Sequence, residues 1–276
     1  MTTYAIGDIH AQYDALMLLL EKIKYSDSDE LWFVGDFINR GDKSLEVLRF
    51  LLELKRNKAK FKTVIGNHDF SLMVQGFGVD KGRVKKVVKE ILDSPEAGEI
   101  LELLISWDLA FYNADKKIFL SHAGLYPLWD IKTALALNQD YRKAITQAKG
   151  EEIKDFFQAV YRNGKNLWAD NLKPLEKICF TVNALSRMRF LTVSEKALDF
   201  DCKISPQDAP TGLIPWYELL PPNMEEKIIF GHWAALGYSS GKNWLCLDGG
   251  AAWDGDLIAW NVDSWQLAGK AKCKKN

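Results

Sequence analysis

Apolar residues recur along this chain in two rhythms. Short runs rich in Ile, Val and Phe end in glycine or a small polar residue at Tyr4 to Gly7, Leu31 to Gly35, Phe61 to Gly66, Lys117 to Ser121 and Lys227 to Gly231. Each is too short for a typical globular helix, so the pattern predicts mostly buried strands. Between the first three, leucines return at helical spacing over Asp14 to Ile23 and Ser44 to Lys55. Strand, helix, strand, helix, strand predicts parallel pairing with right-handed crossovers.

Farther along, the rhythm changes. Arg83 to Leu92, Glu96 to Ile105, Ile131 to Thr146 and Glu151 to Tyr161 carry helical spacing, which predicts a helical excursion over about 73–170. Beyond Asn183, short strands alternate with turns marked by Pro206, Pro210, Pro215 and Pro221-Pro222. Trp244 to Asp248 and Leu257 to Asn261 predict an antiparallel pair joined by the glycine-rich stretch from Gly249 to Gly255. With no internal repeat or low-complexity linker, the expectation is one domain over 1–265 with an α/β core, then a frayed basic tail over 266–276.

Composition narrows the classes. The 276 residues are 47% hydrophobic and include 10 Trp, 9 Tyr and 14 Phe, enough for a substantial core and too aromatic for a disordered chain. The 36 basic and 37 acidic residues nearly cancel, so no global field argues for a nucleic-acid scaffold or a membrane-surface protein. The start resembles no secretory signal, and no apolar run reaches the roughly 18 residues of a membrane span. A cytoplasmic enzyme without membrane contact is expected, and no association element predicts an obligate protein partner. Cys179, Cys202, Cys246 and Cys273 are widely spaced, as ordinary reduced thiols are.

The strand ends carry the chemistry. They read Gly7-Asp8-Ile9-His10, Gly35-Asp36, Gly66-Asn67-His68-Asp69, His122-Ala123-Gly124 and Gly231-His232, and between them hold all 4 histidines of the chain. A lone histidine after a strand is more often bonded to nearby backbone than to a metal, and Gly-Asp alone is a common turn signal. Loops at the same end of neighbouring parallel strands, however, converge in space. Asp8 and His10 share a face in extended chain and can reach one cation. Asp36 can bridge to a second, joined by Asn67, His122 and His232. Mixed nitrogen and oxygen donors suit Mn, Fe, Co or Zn better than an all-oxygen calcium or magnesium site. A pair of such ions, about 3.5 Å apart, supports in-line phosphoryl transfer to water without a protein nucleophile.

His68 follows Asn67 directly, and adjacent side chains diverge. That placement favours an imidazolium general acid facing the leaving group, with a hydrogen bond to Asp8 or Asp36 as the structural alternative. Asp69 is a candidate local cap. Arg40, just past Asp36, and Arg187 and Arg189, flanking Met188, offer the planar donors that phosphate oxygens accept.

In this order, Gly-Asp-Ile-His, Gly-Asp-Phe-Ile-Asn-Arg-Gly, Gly-Asn-His-Asp, His-Ala-Gly and Gly-His-Trp resemble the calcineurin-like metallophosphoesterase superfamily. Ser121 to Gly124, Thr181 to Phe190 and Phe230 to Ala234 are similar to its symmetrical bis(5'-nucleosyl)-tetraphosphatase family, a likeness spanning roughly residues 1–265. The resemblance implies a two-sheet β-sandwich core flanked by helices, with a helical insertion. It implies Asp8, His10 and Asp36 around one metal, and Asp36, Asn67, His122 and His232 around the other. His68 takes the general-acid position, and Arg40 and Arg187 take phosphate-contacting positions. The implied reaction cleaves diadenosine tetraphosphate at its central phosphoanhydride to give two ADP, with manganese foremost and cobalt, iron or zinc as alternatives. Related dinucleoside polyphosphates and RNA 5' caps are further expected substrates, and a serine/threonine phosphoprotein phosphatase is the competing activity.

Three positions depart from the pattern. Ala11 stands where the common motif has glycine, so its turn must accept a Cβ. Asn39 stands where protein phosphatases of the superfamily carry an aspartate, and an amide cannot raise the pKa of a histidine as a carboxylate does. Leu247 to Trp253 lacks the threonine and cysteines usual in that run. Trp233, Trp253 and Tyr126 lie near the site loops and are candidate base-stacking residues. Lys81, Arg83, Lys85, Lys86 and Lys89 either steer polyphosphate or RNA, or form a solvated helix face.

Overall fold

In the computed structural model, which describes residues 1–79 and 86–274, the alternation of the N-terminal part takes its predicted form. Strand β1 (Thr3–Ile6), helix α1 (Tyr13–Lys22), strand β2 (Glu30–Phe33), helix α2 (Ser44–Arg56) and strand β3 (Lys60–Thr63) follow one another. β2 pairs in parallel with both neighbours, Phe33 lying between Ile6 and Thr63. Helices α3 (Asn67–Gly76), α4 (Lys86–Leu92) and α5 (Ala97–Ile105) lead to the hairpin of β4 (Ala110–Asn113) and β5 (Ile118–Ser121). Helices α6 (Ile131–Gln147), α7 (Glu151–Val160) and α8 (Pro174–Arg187) come next. Strands β6 (Phe190–Thr192), β7 (Leu198–Asp199), β8 (Leu213–Pro215), β9 (Lys227–Phe230), β10 (Ser239–Ser240), β11 (Trp244–Cys246), β12 (Asp256–Asn261) and β13 (Gln266–Lys272) complete the described chain.

Two five-stranded mixed sheets, ordered β13-β12-β1-β2-β3 and β10-β11-β9-β5-β4, form the sandwich, with a small β7-β6-β8 sheet beside them. Alternation along each strand sorts side chains between two cores. Ala5, Trp32 and Ile258 from one sheet meet Leu120, Ile229 and Leu245 from the other in the layer between them. On the opposite side of the same strands, Ile6, Leu31 and Phe33 belong to the larger core that includes Leu16 of α1 and Leu48 and Leu52 of α2. Both faces are therefore dry, which is why these strands are nearly continuous apolar runs. Each fully buried Leu or Phe contributes about 1.5–3 kcal/mol.

Three expectations change. Trp244 to Asp248 and Leu257 to Asn261 are not partners: β11 runs parallel to β9, whereas β12 pairs antiparallel with β1 and β13. The stretch from Gly249 to Gly255 thus crosses between sheets, using left-handed backbone at Gly250 (φ 79) and Asp254 (φ 63). The expected frayed tail contains a paired edge strand instead, because β13 bonds to β12 and its Ala271 is fully buried. Helix α8 is the third. Pro174 at its start fits the first turn, and the Glu176 side chain accepts from the Lys173 amide at 3.0 Å. Among the described residues, no helix is long and apolar enough to cross a membrane.

Candidate metal centre

The loops that follow β1, β2, β3, β5 and β9 meet at one place. His10 Nε2 lies 3.9 Å from Asp8 Oδ2 and 3.8 Å from Asp36 Oδ2. His122 Nε2 lies 3.4 Å from Asp36 Oδ2 and 3.3 Å from Asn67 Oδ1. The His232 ring is 4.9 Å from that of His122, and its backbone N–H donates to Asp8 Oδ2 at 3.0 Å. Two clusters result, His10 with Asp36 and His68, and Asp36 with His122 and His232, each with its candidate ligand atoms within 4.8 Å of one another. Asp36 belongs to both.

Local backbone serves this convergence. His10, Ala11, Asp36, Asn39, Arg40 and His232 all have φ between 47 and 76°. Left-handed backbone at residues other than glycine is uncommon and costs on the order of 1–3 kcal/mol each. Ala11 accommodates its Cβ without leaving the left-handed turn, and its N–H donates to Phe37 O at 2.8 Å. Gly41 packs against the carbonyls of His10 and Ala11 on the other side, where a Cβ would collide. Gly66 and Gly231 are needed for a similar reason, since a Cβ on either would run into the carboxylates of Asp36 and Asp8, respectively. Asp69 ties the loops together: its carboxylate accepts from the amides of Asp36 (2.8 Å), Phe37 (3.0 Å) and Gly66 (3.1 Å). It caps α3 and also fixes the β2–α2 loop.

The donor set fits divalent cations. His122 Nδ1 bonds to Val34 O at 2.8 Å and His10 Nδ1 to Ile38 O at 3.4 Å. A carbonyl can only accept, so each bond places a proton on Nδ1 and leaves Nε2 as the ring atom that faces the carboxylates. His232 Nε2 is buried without a hydrogen-bond partner, a costly arrangement that a cation would relieve. Electrostatics agree. Burial pushes Asp8 well above the usual carboxylate range, with Asp248 adding to the effect. Burial would also raise Asp36, but His122, His68 and His10 hold it well below its ordinary value. Burial would lower His122, yet Asp36 and Asp8 push it up to about 9. Burial lowers His10 to about 4, and burial together with Arg189 holds His232 well below its ordinary value. Two neutral imidazoles and two crowded carboxylates are suited to neutralisation by metal.

His10, Asp36, Asn67 and His232 line a cavity of about 750 Å³. His68 lines it, its ring 5.1 Å from that of His10, with Asn39 Nδ2 3.1 Å from His68 Nδ1. The His68 backbone N–H donates to Asp36 Oδ1 at 2.8 Å. Arg40 also lines the cavity and stacks 4.8 Å from the ring centre of Trp253, which is 64% exposed. Arg187 lines it with Phe200, 4.5 Å from the ring centre.

Trp233 has to be removed from the candidate substrate contacts. It is 1% exposed, packs 4.7 Å from Phe190 between ring centres, and donates its indole N–H to Ile204 O at 3.0 Å. Tyr126 is likewise buried, with its hydroxyl on Lys196 O at 2.9 Å. Of the basic segment, Lys81, Arg83 and Lys85 lie outside the described residues, while Lys86 and Lys89 are exposed on α4.

Two more residues reach the site, Arg189, a candidate phosphate contact from its sequence position, and Asp248, which is not among the expected ligands or substrate contacts. Arg189 donates to His232 O at 2.9 Å, and Asp248, 2% exposed, lines the cavity. The signal for Asp248 is a carboxylate beside a glycine just past a strand, as at Asp36 but with the order of the two residues reversed.

The fold and this site define a metallophosphoesterase. The chain belongs to the calcineurin-like phosphoesterase family, whose sequence profile matches residues 1–233. Within that family its full-length relatives are proteins named symmetrical bis(5'-nucleosyl)-tetraphosphatase. The one from Pasteurella multocida is 36% identical over 256 residues, covering 92% of this chain and 90% of that protein. The one from Shewanella loihica is 36% identical over 280 residues and spans 100% of both. The one from Photobacterium profundum is 37% identical over 266 residues, 94% of each. Among solved structures, that of a candidate diadenosine tetraphosphatase shares the fold with a TM-score of 0.64 at 18% identity, covering 99% of this chain and 94% of that one. A Saccharomyces cerevisiae serine/threonine phosphatase shares it with a TM-score of 0.55 at 14% identity, covering 100% of this chain and 81% of that one.

Proposed function

We propose that this protein hydrolyses diadenosine tetraphosphate at its central phosphoanhydride, releasing two ADP. The observation that carries the reading is the pair of clusters sharing Asp36 at a cavity of about 750 Å³. A volume of that order accepts a ligand far larger than a phosphate monoester. The full-length relatives named for this reaction support the choice of substrate.

In this reading Asp8, His10 and Asp36 hold one divalent cation, and Asp36, Asn67, His122 and His232 hold the other. Bound there, the two cations, manganese foremost with cobalt, iron or zinc as alternatives, supply Lewis-acid stabilisation and activate water for in-line attack. Arg40 and Arg187 contact the phosphate chain, giving orientation and charge neutralisation. Trp253 stacks on one adenine, its exposed ring already backed by Arg40. Asp69 keeps Asp36 in its strained loop, so little rearrangement is needed when substrate binds. We place the reaction in the cytoplasm, and related polyphosphates and RNA 5' caps fit the same phosphate chemistry.

His68 donates a proton to the departing oxygen from its place beside His10 and Asn39. ADP leaves with a low pKa and needs that proton less than an alkoxide does. His68→Asn should therefore cost roughly tenfold less in turnover with the tetraphosphate than with an alkyl phosphate monoester, out of the 10²–10⁴-fold typical of acid catalysis. Equal losses on both substrates would remove His68 as the acid. The activity itself is tested by manganese-supplemented product analysis. Two ADP per substrate supports it, AMP plus ATP rejects it, and turnover of a phosphopeptide alone makes the protein a phosphoprotein phosphatase.

A further inference from the structure

The cavity has a second, chemically different part. Beside its histidines and carboxylates, the lining includes an apolar wall of Val160, Tyr161, Val182 and Phe200, with Arg187 and Lys203 as cations. None of these six belongs to either metal cluster. They come from the C-terminal end of α7, from α8 and from the segment after β7.

Phe200 is the centre of this wall. It is half-buried and keeps ring surface on the cavity. The Arg187 guanidinium stacks 4.5 Å from its centroid and is held there, since Nη1 donates to Asn183 Oδ1 at 3.0 Å. Asn183 is itself anchored, donating through Nδ2 to Asn163 O at 2.9 Å and Lys165 O at 3.0 Å. Tyr161 is positioned from the other direction, with its hydroxyl 2.9 Å from Ser71 Oγ. A flat apolar ring with a fixed guanidinium across it offers a nucleotide two things at once, a surface for the base and a donor for the phosphate beside it.

In the same wall Arg162 lies 5.0 Å from the ring centre of Tyr161, and a pair from other elements, Arg40 with Trp253, also lines the cavity. The Arg40–Trp253 pair rests on the β2–α2 loop and the β11–β12 crossover, the Arg187–Phe200 pair on α8 and the segment after β7, and the Arg162–Tyr161 pair on the chain just past α7. Arginine–aromatic pairs on separate elements of one cavity match a ligand that carries a nucleoside at each end of a phosphate chain. We infer that Phe200 is the stacking platform for the second nucleobase of the substrate, with Arg187 bonding the phosphate next to it, so that the site takes a purine nucleoside diphosphate arm. This rests on the dinucleotide reading above and makes it two-sided.

The test compares two ligands on the full-length, manganese-loaded protein by titration calorimetry: ADP, which has a base, and pyrophosphate, which has none. Phe200→Ala should lower the affinity for ADP about tenfold more than that for pyrophosphate. Phe200→Leu, which keeps an apolar side chain but removes the flat face, should do the same, and Phe200→Tyr should retain wild-type preference. Equal losses for both ligands, or an unchanged ADP affinity in both Phe200→Ala and Phe200→Leu, would overturn the platform. If the wild-type protein releases no ADP from diadenosine tetraphosphate while Phe200→Ala still weakens ADP selectively, the substrate assignment fails and the platform stands.

Discussion

The two parts of the cavity are built by different rules. On the metal side, each ligating group sits within a few residues of a strand end, and the backbone bends into left-handed conformations at His10, Asp36 and His232 to aim them. On the nucleoside side, Tyr161, Arg187, Phe200 and Trp253 come from four separate elements and are placed by ordinary packing, stacking and hydrogen bonds. The first part stores strain and tolerates little change. The second is a surface that side-chain substitution can retune without touching the chemistry. Within a fold shared with protein phosphatases, the substrate is then chosen on the nucleoside side and the reaction type on the metal side.

Substitutions should separate the two parts. The largest effect is expected at Asp36, the residue common to both clusters. Asp36→Asn should lower turnover of every phosphoester by at least about a thousandfold. A loss confined to the dinucleotide would show that Asp36 is not shared machinery. Trp233→Ala should cost about 3–5 kcal/mol in urea denaturation, because it empties a core site. Normal stability combined with a selective loss of nucleotide affinity would return Trp233 to the cavity wall.

Gly66→Ala should weaken metal affinity by about 10–100-fold, the scale typical of disturbing the groups that orient ligands. Its new Cβ would press on the Asp36 carboxylate. Metal titration followed by manganese spin resonance reads this directly, and wild-type affinity would mean that the loop relaxes at no cost. The smallest effect is expected at Trp253. Trp253→Ala should leave stability within about 0.5 kcal/mol while weakening dinucleotide binding about fivefold. Unchanged binding would leave Arg40 without an aromatic partner in recognition.

The same division explains what the sequence discloses. β1, β2, β5 and β9 are legible because burial on both faces makes each a nearly continuous apolar run, β3 because buried Val64 and Ile65 follow it, and the metal motifs because each lies within a few residues of a strand end. Asp69 is readable as a cap from its third position in α3, although its bonds to the Asp36 and Phe37 amides are tertiary. Helix α8 is hard to read as a helix, because Ile178 to Ser186 are all buried and its polar Thr181, Asn183 and Ser186 face protein instead of marking a solvent side. β13 hides for the opposite reason: it is an edge strand rich in lysine and poor in large apolar residues, a composition that protects edges and resembles a tail. The β11 and β12 partners depend on long-range topology. So does the Phe200 wall, which no local motif announces.

The central claim is that two cations share Asp36. It is tested most directly by anomalous diffraction at the manganese edge from crystals grown with manganese. Two peaks are predicted on either side of the Asp36 carboxylate, one toward Asp8 and His10 and one toward Asn67, His122 and His232. A single peak, or two peaks that leave Asp36 uncoordinated, would contradict it.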